Sequence, residues 1–107
     1  MPMTETKTGR LELLGSSGRG QPVVYGLTKP RMMLGRCGDI EVIMPAVSRR
    51  HFELTRLSMG RHMCKDLGSR NGTLVNGVRL NGKGQLLNDG DIVQAGEARF
   101  VYYSEQD

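Results

Sequence analysis

Three short segments of the chain combine arginine with hydroxyl, amide and glycine residues, a mixture suited to holding an anion. They are residues 35–36, 47–51 and 66–73, called the first, second and third loops below. The arginine guanidinium presents a planar fork of N–H donors that matches phosphate oxygens, and charge-assisted hydrogen bonds are about twice as strong as neutral ones. Hydroxyl groups add further donors, and glycines let backbone N–H groups approach a ligand closely. The three loops therefore favour an anion-binding site.

The chain lacks the patterns that catalysis or metal binding would require. His51 and His62 have no partners at a spacing typical of a nucleophile–base–acid triad, and no carboxylate of the loops is suited to act as a base. Metal-ligand spacing is absent as well. Cys37 and Cys64 lie far apart, outside any Cys-x-x-Cys pattern, and are predicted to be reduced thiols. We expect a protein that is not an enzyme, with no catalytic residue, metal, cofactor or small-molecule substrate.

The elements that must position these loops read as short β-strands. Apolar residues alternate with polar ones, as where Phe52 and Leu54 share one face of a strand, and no stretch keeps a helical period. The clearest predicted strands cover residues 10–14, 21–27, 31–36, 40–44, 51–57, 61–67, 91–95 and 98–103. Strong turn dipeptides separate the strands: Asn71-Gly72, Asn76-Gly77 and Asp89-Gly90. About ten short strands at this spacing predict an all-β sandwich or barrel.

Length and charge narrow the class of partner. The 107 residues fit one domain, and the formal net charge of +4 suits phosphate, nucleic acid or an acidic peptide, or else solubility alone. Residues 1–8 read as a flexible polar tail, 9–104 as the folded domain and 105–107 as a second tail. Neither a signal peptide nor an apolar run of about 20 residues is found, so a cytoplasmic location without a membrane segment is expected. A module of a larger protein would look the same.

The order and spacing of the three loops resemble the forkhead-associated (FHA) family. The family pattern is Gly-Arg, then Ser-x-x-His about a dozen residues later, then Asn-Gly after about twenty more. Here these elements are Gly35-Arg36, residues 48–51 and residues 69–73, with Asp66-Leu67 and residues 87–91 as further matches. The resemblance covers about residues 11–103. It implies a two-sheet β-sandwich of about ten or eleven short antiparallel strands, with the binding loops at one end.

The resemblance also implies a function and a set of roles. FHA domains belong to the modules that recognise phosphorylated motifs with arginine clusters, so we expect a phosphothreonine-peptide-binding module for phosphorylation-dependent protein–protein interaction in signalling. The partner would be a phosphothreonine-containing protein, either a Ser/Thr kinase or its substrate. The roles carried over are phosphate binding for Arg36, Ser48 and Arg49, peptide-backbone binding for Asn71, a rim or specificity role for Arg70, and structural support for Gly35, His51 and Gly72.

Two other readings stay open at this stage. A phosphate-independent FHA-like scaffold is one, although such members lose the arginine or serine that this chain keeps as Arg36 and Ser48. A basic β-barrel of the OB type that binds nucleic acid is the other. Its base-stacking platform would interleave aromatic and basic residues, and the five aromatics here do not do so, which makes nucleic acid an unlikely partner.

The N-terminal tail suggests a further hypothesis. Thr4, Thr6 and Thr8 precede the first predicted strand, and one of them, once phosphorylated, could fold back into the domain's own loops. Such an intramolecular ligand would act at high effective concentration. An inert polar terminus is the alternative.

Overall fold

The computed structural model describes residues 9–15 and 23–104, which form eleven strands in two sheets. The strands are β1 (Arg10–Leu13), β2 (Val24–Gly26), β3 (Arg31–Gly35), β4 (Ile40–Glu41), β5 (Phe52–Arg56), β6 (His62–Asp66), β7 (Thr73–Val75), β8 (Val78–Arg79), β9 (Gln85–Leu86), β10 (Ile92–Ala95) and β11 (Ala98–Tyr103). A single 3₁₀ turn, Ser58–Gly60, is the only helical element among these residues. Both predicted tails, the N-terminal threonines and residues 21–22 lie outside the described residues.

The two sheets confirm the predicted β-sandwich. One has the strand order β2-β1-β11-β10-β7-β8 and the other β4-β3-β5-β6-β9. The expectation that all strands are antiparallel is wrong in one place, because β4 runs parallel to β3 and pairs Leu34 with Ile40. Asp39 holds the connection between these two strands. Its Oδ2 accepts a hydrogen bond of 2.9 Å from the backbone N–H of Met33, so the chain returns alongside β3 before β4 begins.

Alternation along the strands places one face of each sheet in a shared core. Phe52 and Leu54 of β5 are both buried, as the sequence pattern predicts. Phe100 and Tyr102 of β11, in the other sheet, belong to the same buried cluster. Burying a side chain of this size stabilises the fold by roughly 1.5–3 kcal/mol. The sandwich thus rests on apolar burial; Cys37 and Cys64 are both free thiols.

Of the two Asn-Gly dipeptides, one forms the tight hairpin that this pair favours and the other does not. Asn76 and Gly77 have φ values of 51° and 83° and join β7 to β8 as a two-residue hairpin, the backbone that Asn-Gly favours. Asn71-Gly72 closes no hairpin, because β6 and β7 belong to different sheets and the third loop crosses between them. Gly72 nevertheless has a φ of 82°, which only glycine adopts readily.

The strand registers bring the three loops to one end of the sandwich. In the five-stranded sheet, Leu34 pairs with Phe52 and Phe52 with Asp66, so the end of β3, the start of β5 and the end of β6 lie side by side. In the six-stranded sheet, Ala95 pairs with both Thr73 and Ala98. The first, second and third loops and the β10–β11 turn therefore share this end. Among the described residues, no helix has the length and apolar character needed to cross a membrane.

Candidate functional site

The first and second loops are held together by backbone hydrogen bonds that only a glycine permits. The backbone N–H groups of Arg36 and Cys37 donate to the carbonyls of Ser48 and Arg49, each at 3.0 Å. A Cβ added at Gly35 would lie 2.1 Å from the Arg49 carbonyl oxygen and 2.8 Å from that of Ser48. Because no side chain can occupy that space, Gly35 sets how closely the second loop packs on the end of β3.

His51 ties the second loop to the third from inside the protein. Its Nδ1 accepts from the backbone N–H of Ser48 at 3.0 Å, and its Nε2 lies 2.8 Å from the Gly72 carbonyl oxygen. A backbone N–H can only donate and a carbonyl can only accept, so the proton of the neutral ring sits on Nε2. The ring is fully buried. This geometry places His51 as a bridge between loops and not at the surface that a ligand would reach.

A second bridge runs through the serine hydroxyl. Ser48 Oγ accepts a hydrogen bond of 3.0 Å from the backbone N–H of Arg70. A hydroxyl has one donor and two acceptor sites, so this bond leaves the O–H of Ser48 available as a donor. The hydroxyl lies at the junction of the second and third loops, where an incoming anion would meet it.

Arg36 is bonded to the second loop through its backbone, whose N–H donates to the Ser48 carbonyl, and its guanidinium is only partly engaged. Its Nε donates to the Val47 carbonyl oxygen at 2.6 Å, which orients the fork across the second loop. The two terminal nitrogens make no hydrogen bond or ion pair with any described residue. An arginine that is oriented by the protein and still has two free nitrogens is suited to bind two oxygens of one phosphate.

Asp66 organises the third loop from below. Its Oδ2 accepts from the backbone N–H groups of Gly68 and Ser69 at 3.0 and 3.1 Å, and its Oδ1 from the hydroxyls of Ser69 and Thr73 at 2.6 and 2.7 Å. Partial burial acts to raise the pKa of this carboxyl, but the hydrogen bonds from Ser69, Thr73 and Gly68 outweigh it, and the pKa is lowered. The Asp66 carboxylate thus accepts four hydrogen bonds, which stabilise its negative charge within the third loop.

Asn71 is positioned by a chain of contacts that reaches the β10–β11 turn. Its Nδ2 donates to the Ala46 carbonyl oxygen at 2.9 Å, and the backbone N–H of Ala46 donates to Glu97 Oε1 at 3.1 Å. A Cβ at Gly96 would lie 2.5 Å from the Ala46 oxygen, so the turn packs directly on this segment. Asn71 stays exposed, and its Oδ1 has no hydrogen bond to a described residue.

The remaining arginines differ in direction. Arg49 and Arg70 are exposed at the junction of the second and third loops, and their guanidinium groups have no bonded partner among residues 9–15 and 23–104. Arg50, which the sequence pattern left outside the site, directs its Nε to the sulfur of Met33 at 3.4 Å, along the five-stranded sheet. The structure therefore brings Arg36, Ser48 and Asn71 to one end of the sandwich and turns Arg50 away.

Three features of this end were not found by sequence reasoning. Glu97 and Gly96 contact Ala46, the residue before the second loop, across about fifty residues, and no local pattern could reveal such a contact. The role of Asp66 was visible only as a match to the family pattern. Arg79 of β8 lies against Gly72, in a position that depends on the β7–β8 hairpin returning to the third loop.

The described residues hold no group of three or more His, Cys, Asp or Glu side chains that could bind a metal ion. The loop end is instead cationic: Arg36, Arg49 and Arg70 are exposed, and the Arg70 backbone N–H bonds to Ser48 Oγ. We call these four residues the phosphate site, after the ligand that is proposed for them below.

Comparisons with known proteins agree with this architecture. The FHA domain family model matches residues 32–96. The glycogen accumulation regulator GarA of Mycolicibacterium smegmatis is 38% identical over 78 residues, which cover 71% of this chain and 48% of GarA. The chain thus spans about half the length of this relative.

Solved structures give the same result. A domain from a structural and functional analysis of phosphothreonine-dependent FHA domain interactions has a TM-score of 0.80 and 27% identity, covering 94% of this chain and 99% of that one. EmbR of Mycobacterium tuberculosis, solved in complex with a low-affinity phosphopeptide, has a TM-score of 0.80 and 26% identity over 96% of this chain and 26% of its own. With the family model matching more than half of its length, this chain belongs to the FHA domain family.

Proposed function

We propose that the chain binds phosphothreonine-containing segments of other proteins and so mediates phosphorylation-dependent protein–protein interaction in signalling. The observation that carries the proposal is the bridge between Ser48 Oγ and the Arg70 N–H, together with the partly free guanidinium of Arg36, whose Nε bonds to the Val47 carbonyl next to Ser48 in the chain. These groups supply hydroxyl and guanidinium donors from loops that hydrogen bonds join. A phosphate carries a charge of about −1.5 to −2 at neutral pH and accepts through three oxygens.

In this proposal each residue keeps the role that the family pattern implies. Arg36, Ser48 and Arg49 bind the phosphate, and Arg70 contributes at the rim. Asn71 binds the peptide backbone through its free Oδ1 and its second amide hydrogen. Gly35, His51 and Gly72 act as structural support, consistent with the close packing of both glycines and the burial of the histidine ring.

The same proposal covers the class and place of action. We infer that residues 9–104 act as a binding module and not as an enzyme, with a Ser/Thr kinase or its substrate as partner. We also propose that this module acts in the cytoplasm, as the sequence predicts. Self-inhibition by a phosphorylated Thr4, Thr6 or Thr8 stays a hypothesis, because these threonines lie outside the described residues.

The test is binding to matched peptides that differ only in phosphorylation. An oriented phosphothreonine peptide library would select ligands, and isothermal titration would then compare each ligand with its unphosphorylated form and with its phosphatase-treated form. We expect binding only to the phosphorylated form. Equal binding of both forms would contradict the proposal and favour the phosphate-independent scaffold, whereas steeply salt-dependent binding to unmodified oligonucleotide would favour the nucleic-acid reading.

A further inference from the structure

The chain enters the sandwich at the end opposite to the phosphate site. Arg10, the first residue of β1, pairs with Tyr103 at the end of β11. Ala98, at the start of β11, pairs with Ala95 of β10 at the loop end. One residue step separates Gly9 from Arg10 and five separate the two ends of β11, so Gly9 lies about 20 Å from the loop end along the strands.

Gly9 is held firmly at this opposite end. It is buried, and its carbonyl accepts a hydrogen bond of 2.9 Å from the backbone N–H of Leu27. A Cβ added at Gly9 would lie 2.7 Å from the Tyr103 carbonyl oxygen. Residues 1–8, called the N-terminal segment below, can therefore reach a binding site only over their own length. The covalent backbone limits that length to about 3.3–3.6 Å per residue in any conformation.

This limit separates the N-terminal segment from the phosphate site of its own copy. From the Gly9 Cα atom, the Cα atom of Thr8 lies at most about 4 Å away, that of Thr6 about 11 Å and that of Thr4 about 18 Å. Thr8 and Thr6 fall short of the site even with the length of the side chain added. Thr4 would reach it only with residues 5–8 stretched along the side of the sandwich, which leaves none of them to lie across the loops. A phosphothreonine in this segment is therefore better placed for another copy.

The threonines of the described part of the chain are not suited to be such ligands. A ligand that lies across the loops needs exposed chain on both sides of its phosphothreonine. Thr73 is buried, and Thr55 lies within β5. Thr28 is exposed but directly follows Leu27, which is buried. The N-terminal segment is thus the part of this chain to consider as a source of phosphothreonine.

Within the N-terminal segment, Thr4 has the most chain between itself and the folded domain. Residues 5–8 separate it from Gly9, whereas Thr8 is followed directly by that buried glycine. Phosphorylation would join a phosphoryl group from ATP to the Thr4 hydroxyl oxygen, with release of ADP, and belongs to a Ser/Thr kinase. The product would carry a charge of about −1.5 to −2, opposite in sign to the exposed arginines of the phosphate site.

We propose that the N-terminal segment of one copy, phosphorylated on Thr4, binds the phosphate site of a second copy. This inference rests on the proposed function, whose partner it names as a second copy of the chain. Residues 5–8 are short, so the loop end of one copy must lie close to the Gly9 end of the other. The contact joins different surfaces of the two copies; it is heterologous and can repeat from copy to copy.

The first experiment measures self-association of the whole chain carrying a single phosphothreonine. Genetic incorporation would place it at Thr4 or at Thr8, and sedimentation over a range of concentrations would compare both samples with the unmodified chain. We expect the Thr4-phosphorylated chain to self-associate with a Kd at least about tenfold below that of the other two samples. Phosphatase treatment should return it to a monomer.

The second experiment separates the ligand from the site by mixing variants. Arg36→Ala phosphorylated on Thr4 keeps the ligand but has an impaired site, and unphosphorylated Thr4→Ala keeps the site without the ligand. We expect each to be monomeric alone and the mixture to form a one-to-one complex. Arg50→Ala phosphorylated on Thr4 is the matched control and should self-associate as the Thr4-phosphorylated wild type does, because Arg50 contacts Met33 outside the site. Thermal melts would verify that the variants are folded.

Three results would overturn the inference. A Thr4-phosphorylated chain that stays monomeric and no longer binds an external phosphothreonine peptide has folded its segment back on its own site. One that stays monomeric and binds that peptide normally has an inert terminus. Self-association that Arg36→Ala leaves unchanged uses another surface. In each case, binding of the external peptide by the unmodified chain would leave the proposed function standing, and its failure to bind any would make that function wrong as well.

Discussion

The two ends of the sandwich are built by different physical means. At the loop end, side chains bond to backbone groups of neighbouring loops, as Ser48 Oγ does to Arg70 N and His51 Nε2 to Gly72 O. These bonds fix the backbone and leave the guanidinium groups of the phosphate site exposed. The loop end thus has a hydrogen-bonded frame, and Arg36, Arg49 and Arg70 form no ion pair there with a described residue.

At the opposite end, polar groups are buried against one another. His62 of β6 is 1% exposed, its Nδ1 lies 2.7 Å from the Tyr102 hydroxyl, and its Nε2 has no hydrogen-bond partner among the described residues. Burial and the nearby charge of Arg56 lower the pKa of His62 to about 4, while burial raises the pKa of Tyr102 to about 12. Both rings are therefore neutral near pH 7.

The contrast separates recognition from stability. Charges at the loop end face solvent and are available to a ligand, so changes there should alter binding more than folding unless they displace the loop frame. Titratable groups at the opposite end are withdrawn from solvent, so changes there should alter the pH dependence of folding and leave binding intact. Each of the following variants addresses one side of this contrast.

Gly35→Ala should have the largest effect, because it damages the frame itself. The new methyl group would lie 2.1 Å from the Arg49 carbonyl oxygen, so the second loop must move away from β3. We expect a loss of about 3 kcal/mol in the free energy of unfolding, measured by urea denaturation, together with loss of phosphopeptide binding. Gly26→Ala is the control, because a Cβ at that strand glycine would meet only Thr28 Cγ2, at an ordinary contact distance of 3.5 Å. A Gly35→Ala protein with wild-type stability would show that the loop tolerates displacement.

Asp66→Asn should come next, because it keeps the shape of the carboxylate but removes half of its acceptors. An amide in place of Oδ2 would face the N–H groups of Gly68 and Ser69, giving an expected loss of about 2 kcal/mol in stability at pH 7. The lowered pKa of Asp66 contributes stability above the ordinary carboxyl pKa, and this contribution disappears as the pH falls through the folded-state value. Denaturation at pH 7 and pH 3, with Glu41→Gln as control, measures both effects; equal losses for Asp66→Asn at the two pH values would argue against them.

His62→Phe should change the pH dependence of folding and not peptide binding. With a folded-state pKa of about 4 and an unfolded-state value near 6.5, the wild-type chain should keep its full stability above pH 6.5 and lose roughly 1–3 kcal/mol as the pH falls from 6.5 to 4. Phe cannot titrate, so this share of the loss should vanish. Urea midpoints of both proteins at pH 7.5, 6 and 4.5 measure it, and parallel curves would contradict the prediction.

Glu97→Ala should have the smallest effect, since it acts on Asn71 only through Ala46. Loss of the carboxylate frees the Ala46 N–H, which should cost about 0.5–1 kcal/mol in stability and weaken phosphopeptide binding about two- to fivefold. Glu41→Ala removes another exposed carboxylate, one that bonds no described residue, and serves as the control. If both variants bind phosphopeptide equally well, Glu97 does not position Asn71.

The sequence predicted those parts of the fold that depend on local patterns. Alternation placed Phe52 and Leu54 in the core, and Asn76-Gly77 marked a hairpin because both residues accept positive φ. The order of the three loops, matched to the family pattern, predicted that they share one end, which the strand registers explain. These features follow from interactions between residues close in the chain, or from a pattern shared with a family.

The features that escaped prediction depend on how distant segments meet. The parallel pairing of β3 with β4 follows from Asp39 reaching back to Met33, which alternation does not encode. The contact of Glu97 with Ala46 requires the two sheets to be packed first. Likewise, Arg79 approaches Gly72 because the β7–β8 hairpin returns to the third loop and because the glycine has no side chain. The sequence does not show that these two features lie next to each other.

Titration of a selected phosphothreonine peptide into Arg36→Ala and Arg50→Ala tests the central claim most directly. Both variants remove one arginine from neighbouring loop segments, but Arg36 orients its fork at the phosphate site through Val47 while Arg50 contacts Met33. We expect Arg36→Ala to lose measurable binding with its thermal melt unchanged, since one charge-assisted partner contributes about 1.5–3 kcal/mol, and Arg50→Ala to bind as wild type. Unchanged affinity of a folded Arg36→Ala protein would contradict the account.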